Sequence, residues 1–153
     1  MDALERFAAA AATAGVTLDV SRYPAGTRTA ADAAAAVGCS VAQIVKSLVL
    51  TGPRGPLLAL TAGSSQVDLD AVGALLGGPV RMATPDEARA ATGYAIGGTP
   101  PFGHPSALPT LIDPALLGRE VVHAAAGTPD SCFPIAPRDL CDVTAADEVA
   151  VFR

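Results

Sequence analysis

The stretch SVAQIVKSLVL, residues 40–50, decides the fold of this chain. Ser40 and Gln43 have the S-x-x-Q spacing of a capping box, which predicts a short helical turn. The residues that follow, VKSLVL, are mainly apolar and include two valines, which is typical of a strand. The next residues, PRG, predict a turn into a second strand, PLLAL. The stretch therefore predicts a strand pair that begins after a capped turn.

Lys46 lies inside this apolar stretch and is the only lysine in a chain that has nine arginines. A charge in apolar surroundings is costly unless it is paired or has a function. The Ala- and Arg-rich composition indicates a coding bias that replaces Lys by Arg wherever either residue serves. A lysine that persists therefore indicates a need for a compact primary ammonium. The alternative is a lysine whose stem lies along a strand edge with its charge in water.

The rest of the chain predicts helices and strands that alternate irregularly. Helices are expected at residues 2–14, 32–37, 68–76 and 84–92, with a last helical turn at 136–140. Further strands are expected at residues 18–23, 79–82, 108–112, 120–125, 132–135 and 149–152, with a turn at 113–118. This order predicts an α/β (α+β) fold, in which helices pack on a mixed sheet. We expect residues 1–153 to form a single domain.

Composition excludes several classes of function. The net charge of −5 and the scattered arginines argue against a protein that grips DNA or another long duplex, although contact with one nucleotide end stays open. No apolar run approaches the ~18 residues of a membrane span, and the start MDALERF is unlike a secretory signal. We therefore expect a soluble cytoplasmic protein. Three cysteines without CxxC spacing predict neither a disulfide framework nor a metal site, and we expect no cofactor.

Residues 92–105, TGYAIGGTPPFGHP, contain four Gly and three Pro. Glycine lets the backbone approach a ligand and proline stiffens the path, so this loop is suited to binding an oxyanion or carbonyl through its N–H groups. A plain connecting loop, anchored by Tyr94 and Phe102, is the alternative. We interpret His104 as a turn residue and His123 as a structural strand residue. The absence of a G-x-S-x-G motif argues against a serine hydrolase.

Three segments taken together, IVKSLVL, GYAIGGTPPFG and AAGTPDSCFPIAPRDL, resemble the YbaK-like family. Its members are relatives of the editing domain inserted in bacterial prolyl-tRNA synthetases, and the resemblance runs from the first helix to about Thr144. It implies a mixed, curved β-sheet with flanking helices. It also implies hydrolysis of the ester of mischarged aminoacyl-tRNA, typically tRNA(Pro) carrying a small amino acid such as Ala, Cys or Ser. The implied partners are the tRNA acceptor end and prolyl-tRNA synthetase or another tRNA-binding protein.

The resemblance also implies site residues. Lys46 matches the invariant lysine of the family, which serves in substrate binding and catalysis. Gly97 and Pro101 match its G-x-x-x-P loop, and Gly127 matches the glycine of a second loop that faces the same pocket.

This chain departs from the family pattern at the second loop. It has AAGTPDSC where cysteine-specific relatives have SGGRRGLD, so that Cys132 aligns with an acidic residue. It has Thr128, Pro129 and Asp130 where alanine-specific relatives often have a histidine. Amino-acid specificity therefore does not transfer from the family.

We expect Lys46, Gly97 and Gly98 to carry the chemistry. Backbone N–H groups near the two glycines would stabilise an oxyanion, and Lys46 would hold a phosphate or ribose or orient the nucleophile. The other residues predicted to bind substrate are Thr27, Arg28, Ser47, Thr99, Pro101, Phe102, Gly127, Thr128 and Asp130. Helix capping by Thr27 or Thr29 is an alternative role, and so is turn formation by Asp130.

Two functions remain in view. The first is a trans-editing aminoacyl-tRNA deacylase whose shallow Gly- and Ala-lined pocket admits Ala, Ser or Cys. Such a pocket discriminates between substrates that differ by one methylene with a free-energy difference of only ~1–3 kcal/mol. The second is a non-catalytic module of the same shape that binds a nucleotide or aminoacyl-adenosine, or docks on a synthetase. A general small-molecule esterase is disfavoured because the sequence offers no nucleophile-base pair.

Overall fold

The computed structural model describes residues 1–24, 26–27 and 29–153. The helices are α1 Ala3–Thr13, α2 Ala30–Val37, α3 Leu69–Leu76, α4 Pro85–Thr92, α5 Pro114–Leu117 and α6 Pro137–Thr144, with a 3₁₀ turn at Val41–Gln43. The strands are β1 Ser21–Arg22, β2 Val45–Gly52, β3 Gly55–Ala62, β4 Arg81–Met82, β5 Thr110–Ile112, β6 Val122–Ala125, β7 Ser131–Ile135 and β8 Asp147–Glu148. In these ranges, no helix combines the length and the apolar character that crossing a membrane requires.

The strands form two sheets. The larger sheet has the order β4-β2-β3-β5-β8 and is mixed, since β2 runs antiparallel to β3 and β4 while β5 runs parallel to β3 and β8. The smaller sheet is antiparallel, with the order β1-β7-β6. A parallel bridge between Ile44 and His123 joins them at the start of β2. The predicted mixed α/β architecture is confirmed, with two joined sheets in place of one.

Local capping signals fix where the helices begin. The amide of Ser40 donates to the side chain of Gln43 at 3.1 Å, so the predicted capping box precedes β2. Thr29 accepts from the amide of Asp32 at 3.0 Å, and α2 therefore begins at Ala30, two residues earlier than expected. The helices expected to begin at residues 2, 68 and 84 do start there, with Asp2, Asp68 and Thr84 as their N-caps.

Apolar side chains pack on both faces of the larger sheet. On β2, Val49 belongs to the larger core, which contains side chains of α1 and the smaller sheet, while Leu50 belongs to the smaller core beneath α3. Successive side chains of a strand point to opposite faces. Lys46 therefore leaves β2 on the face of Leu50, and Ser47 leaves it on the face of Val49.

Two terminal strand predictions need correction. The strand expected at 18–23 is reduced to β1, because only Ser21 and Arg22 pair with β7. The strand expected at 149–152 is wrong in position, because β8 lies at Asp147–Glu148, parallel to β5. Residues 151–153 instead run beside residues 66–68, where the amide of Asp68 donates to Val151 O at 2.7 Å.

Two turns proved more helical than expected. The predicted turn at 113–118 contains α5, which begins where the Asp113 carboxylate accepts from the amide of Ala115 at 2.9 Å. The expected last helical turn continues as α6 to Thr144, because Leu140 is fully buried in the larger core and holds the helix against it.

Candidate functional site

A cavity of about 560 Å³ lies along the edge of β2 that faces away from β3. β4 pairs with β2 only at Leu50 and Thr51, and the smaller sheet is bridged to it at Ile44. The stretch of β2 between these two attachments therefore borders the cavity. The rest of the lining comes from α2, α4, β4, β6, β7 and the loop before Pro100.

The backbone of Ser47 faces this cavity. Val49 O accepts from the amide of Ala83 at 3.0 Å on the β4 side, whereas Ile44 O accepts from Gly63 at 2.8 Å on the β3 side. Backbone groups of a strand alternate between its two edges, so the N–H and C=O of Ser47 point to the same side as those of Val49. The sheet thus leaves a donor and an acceptor at the cavity edge.

The side chain of Ser47 behaves differently from its backbone. Its Oγ is sealed from solvent, and it is the one buried side-chain oxygen or nitrogen in the described ranges without a hydrogen-bond partner. An unpaired buried hydroxyl is costly.

Lys46 is the second residue of β2 and is half-buried in the cavity lining. Its Nζ donates to Ser65 O at 2.9 Å, in the segment that follows β3. An ammonium carries three N–H donors, so two remain for a ligand after this contact. The carbonyl fixes the position of the charge without neutralising it.

The Gly-Pro loop touches the second glycine loop backbone to backbone. A Cβ on Gly98 would lie 2.8 Å from Thr128 Cα and 3.0 Å from Gly127 O, so only glycine allows this approach. The amide of Gly98 already donates to Ala95 O at 3.0 Å. Gly97, with φ of +87°, is the residue that lines the cavity. Gly98 thus positions the loop, and Gly97 presents it to the cavity.

Hydrogen bonds hold the second loop in place. The Thr27 hydroxyl donates to Pro129 O, and Thr27 lines the cavity. Asp130 accepts from Thr128 Oγ1 at 2.6 Å and forms an ion pair with Arg22 at 2.9 Å. The Thr128 hydrogen bond, and then Arg22, keep the pKa of Asp130 below its ordinary value. Asp130 stabilises the turn from outside the cavity lining.

Comparison with known proteins identifies the family. Residues 24–143 match the family described as the aminoacyl-tRNA editing domain, which covers well over half of the chain. The chain belongs to this YbaK-like family of aminoacyl-tRNA editing domains. The editing domain is 45% identical to a solved candidate trans-editing enzyme for prolyl tRNA synthetase, with a TM-score of 0.95 over 100% of this chain and 98% of that chain.

Two further relatives are described without naming an activity. The solved hypothetical protein APE2540 is 30% identical, with a TM-score of 0.88 over 97% of this chain and 99% of that chain. YwhH of Bacillus subtilis (strain 168), described as uncharacterized, is 30% identical over 125 residues, which are 81% of this chain and 80% of that protein. Family membership implies interaction with aminoacyl-tRNA and supports a deacylase function.

The editing domain brings some of the predicted site residues together and leaves others apart. Those that line the cavity are Thr27, Lys46, Ser47, Gly97 and Thr99. Those outside its lining are Gly98, Pro101, Phe102, Gly127, Thr128 and Asp130. Arg28 lies outside the described residues. Phe102 packs in the core against Phe7, with 5.0 Å between ring centroids, and anchors the loop from below.

Among the cavity-lining residues that were not predicted as site residues, three carry an imidazole, a hydroxyl or a thiol, and they are His123, Ser131 and Cys132. Burial lowers the pKa of His123 and raises that of the Cys132 thiol. The alternation in EVVHAA indicated that His123 lies on the opposite face of the strand from Val122, which is fully buried in the larger core. Nothing local indicated that this second face meets β2. His104 lies outside the cavity lining, in the irregular segment before Pro105, with its ring nitrogen 2.8 Å from Pro100 O.

Proposed function

We propose that this editing domain is a trans-editing aminoacyl-tRNA deacylase, which hydrolyses the ester between tRNA(Pro) and a small non-cognate amino acid. The observation that carries the proposal is a single cavity that joins the Lys46 ammonium, the Gly97 loop and the open edge of β2. An aminoacyl ester is already activated. Its hydrolysis needs a positioned water and donors for the charge that develops on the carbonyl oxygen.

Lys46 supplies the positive charge of the site. The two N–H donors that Ser65 leaves free would bind the phosphate or ribose of the terminal nucleotide. The oxyanion donors that we propose are the backbone amides of Gly97 and Ser47, since the amide of Gly98 is already used within its loop. Gly98, Pro101, Phe102, Gly127, Thr128 and Asp130 would act indirectly, by positioning the two loops.

The wall of the cavity indicates the size and polarity of the amino acid. Alanines from α2, α4, β6 and the segment after β4 line it, and they are Ala30, Ala31, Ala33, Ala83, Ala88, Ala124 and Ala125. Thr27 and Thr99 add hydroxyls, so the lining suits a small side chain that is apolar or carries one hydroxyl or thiol. We infer Ala, Cys or Ser as the substrate side chain.

The charge of the protein limits how it binds tRNA. With a net charge of −5, the chain has no excess of positive charge to follow an RNA helix, and phosphate contacts dominate affinity for such helices. We propose that residues 1–153 act as one domain that contacts the acceptor end alone. Prolyl-tRNA synthetase or another tRNA-binding protein would then supply the remaining affinity.

A panel of charged tRNAs tests the proposed function. Purified protein is assayed against tRNA(Pro) and a second tRNA, each charged with Ala, Ser, Cys or Thr, beside Lys46→Ala and Lys46→Arg. We expect release above background for at least one small amino acid, and a loss of about 10²-fold or more in Lys46→Ala. Equal background rates for wild type and Lys46→Ala on every tRNA would refute deacylation. Tight binding of an aminoacyl-adenosine without turnover would favour the non-catalytic module instead.

A further inference from the structure

His123 lines the cavity on the strand beside β2, and nothing in the proposed mechanism above uses it. We propose that His123 is a catalytic residue, the general base that takes a proton from the hydrolytic water. This inference rests on the proposed deacylase function and adds the group that activates its nucleophile.

The register at the junction of the two sheets places His123 on the same face as Lys46. His123 is bridged in parallel to Ile44, and residues paired across neighbouring strands share a face. Ile44 packs beneath α2 against Ala33. Lys46 follows Ile44 by two residues in extended backbone and so lies on that face too. Diagonal neighbours on one face of a sheet lie roughly 7–8 Å apart, with their Cβ atoms somewhat closer, within reach of a long side chain or a bridging water.

The imidazole of His123 is available to accept a proton. The ring of His104 is hydrogen-bonded, with Nε2 2.8 Å from Pro100 O. Among the described residues, none forms a hydrogen bond with the ring of His123. Partial burial lowers the pKa of His123, so its ring is neutral at pH 7 and one nitrogen carries a free lone pair.

Few charges face this ring. Among described residues of the lining, the other ionisable groups are Lys46 from β2 and Cys132 from β7, and burial raises the pKa of that thiol. The α2 and 3₁₀ segments contribute Thr29, alanines and Val41 to the lining. No carboxylate of the described lining competes with His123 as a base.

The proton transfers balance with His123 as both acceptor and donor. The water oxygen bonds to the carbonyl carbon of the ester while one water proton moves to the imidazole nitrogen. The tetrahedral intermediate then collapses, the bond between the carbonyl carbon and the ribose oxygen breaks, and the imidazolium returns its proton to that oxygen. The products are the free amino acid and the tRNA 3′-terminal hydroxyl, and the base is regenerated.

The pH dependence of kcat/KM tests this role, with the second histidine as the matched control. We expect the wild-type rate on its best charged tRNA to fall as pH decreases through the lowered pKa of His123. His123→Gln should lose about 10²–10⁴-fold at pH 7 together with this acid limb. His104→Gln, whose ring lies outside the cavity lining, should keep the acid limb whatever its effect on stability.

Two outcomes separate this inference from the proposed function. Wild-type deacylation combined with a His123→Gln variant that keeps both rate and acid limb would overturn the role of His123 alone. Failure of the wild type to release any amino acid at any pH would overturn both proposals. If His123→Gln does not fold, the two imidazole signals of the wild type are titrated by NMR instead. The signal that is missing from His104→Gln belongs to His104, and the other therefore belongs to His123. The kinetic acid limb must then follow the His123 signal, and a mismatch would overturn the assignment.

Discussion

The unpaired hydroxyl of Ser47 leads to a quantitative prediction about stability. A buried hydroxyl without a hydrogen-bond partner costs about 1–3 kcal/mol in free energy of unfolding. Ser47→Ala removes the hydroxyl and leaves the strand backbone and the Cβ in place, at the expense of a small void. We therefore expect the free energy of unfolding to rise by about 1 kcal/mol. For a chain of 153 residues this corresponds to an increase in Tm of about 2–4 °C.

Ser131→Ala is the matched control for this measurement. Ser131 is fully buried, and its hydroxyl oxygen lies 3.1 Å from Thr128 O and 2.7 Å from Thr128 Oγ1, so its own proton has an acceptor in Thr128. Its removal should lower the free energy of unfolding by about 1–2 kcal/mol. Urea and thermal unfolding of both variants provide the comparison. A decrease in Tm for Ser47→Ala as large as that for Ser131→Ala would show that the Ser47 hydroxyl has a partner in the folded protein.

Three further predictions concern the loops, a surface ion pair and the lysine. Gly98→Ala places a Cβ 2.8 Å from the backbone of the second loop and should lower the free energy of unfolding by about 1–3 kcal/mol. Gly118→Ala is the control, because open space surrounds that glycine and its stability should not change. Equal urea midpoints for the two variants would contradict this prediction. Arg81 lowers the pKa of Glu87 from 4.5 to about 2, so stabilisation by the carboxylate is complete above pH 4.5 and is lost towards pH 2. The difference in Tm between wild type and Glu87→Gln should therefore disappear over that range, and a constant difference would be inconsistent with the pair. Because Lys46 is the only lysine, an amine-acylating reagent should label only Lys46 and the N-terminal amine, as detected by mass spectrometry. An aminoacyl-adenosine analogue should protect Lys46 but not the N-terminus. Unchanged labelling of Lys46 at saturating analogue would argue against Lys46 as a ligand group.

The parts of the fold that the sequence predicts are those set by neighbouring residues. The capping box of Ser40 and Gln43 joins residues three apart, and the hairpin of β2 and β3 closes through a short turn. Pairing between strands that are distant in the sequence was harder to predict. The alternating residues 149–152 indicated a strand, but Val151 pairs with the segment before α3, a choice that tertiary packing makes.

The candidate site shows the same division. Lys46 and Gly97 were predictable, because a lone lysine in an apolar strand and a glycine-rich loop are visible in the sequence itself. The packing role of Gly98 depends on Thr128, which only the folded chain brings within 3 Å. His123 enters the lining through a bridge to Ile44, and a single sequence does not reveal which strand lies next to which. The face of β6 on which His123 lies was predictable, but its neighbour was not.

The most direct test is single-turnover hydrolysis of Ala-, Cys- and Ser-tRNA(Pro) compared with Pro-tRNA(Pro), by wild type and Lys46→Ala. We expect the wild type to release at least one of alanine, cysteine and serine well above the spontaneous rate and to leave prolyl-tRNA intact, while Lys46→Ala releases none of them above background. Should alanine, cysteine and serine esters all decay at the spontaneous rate in the presence of wild type, or should Lys46→Ala match wild type, the assignment of this cavity as a deacylase site would be contradicted.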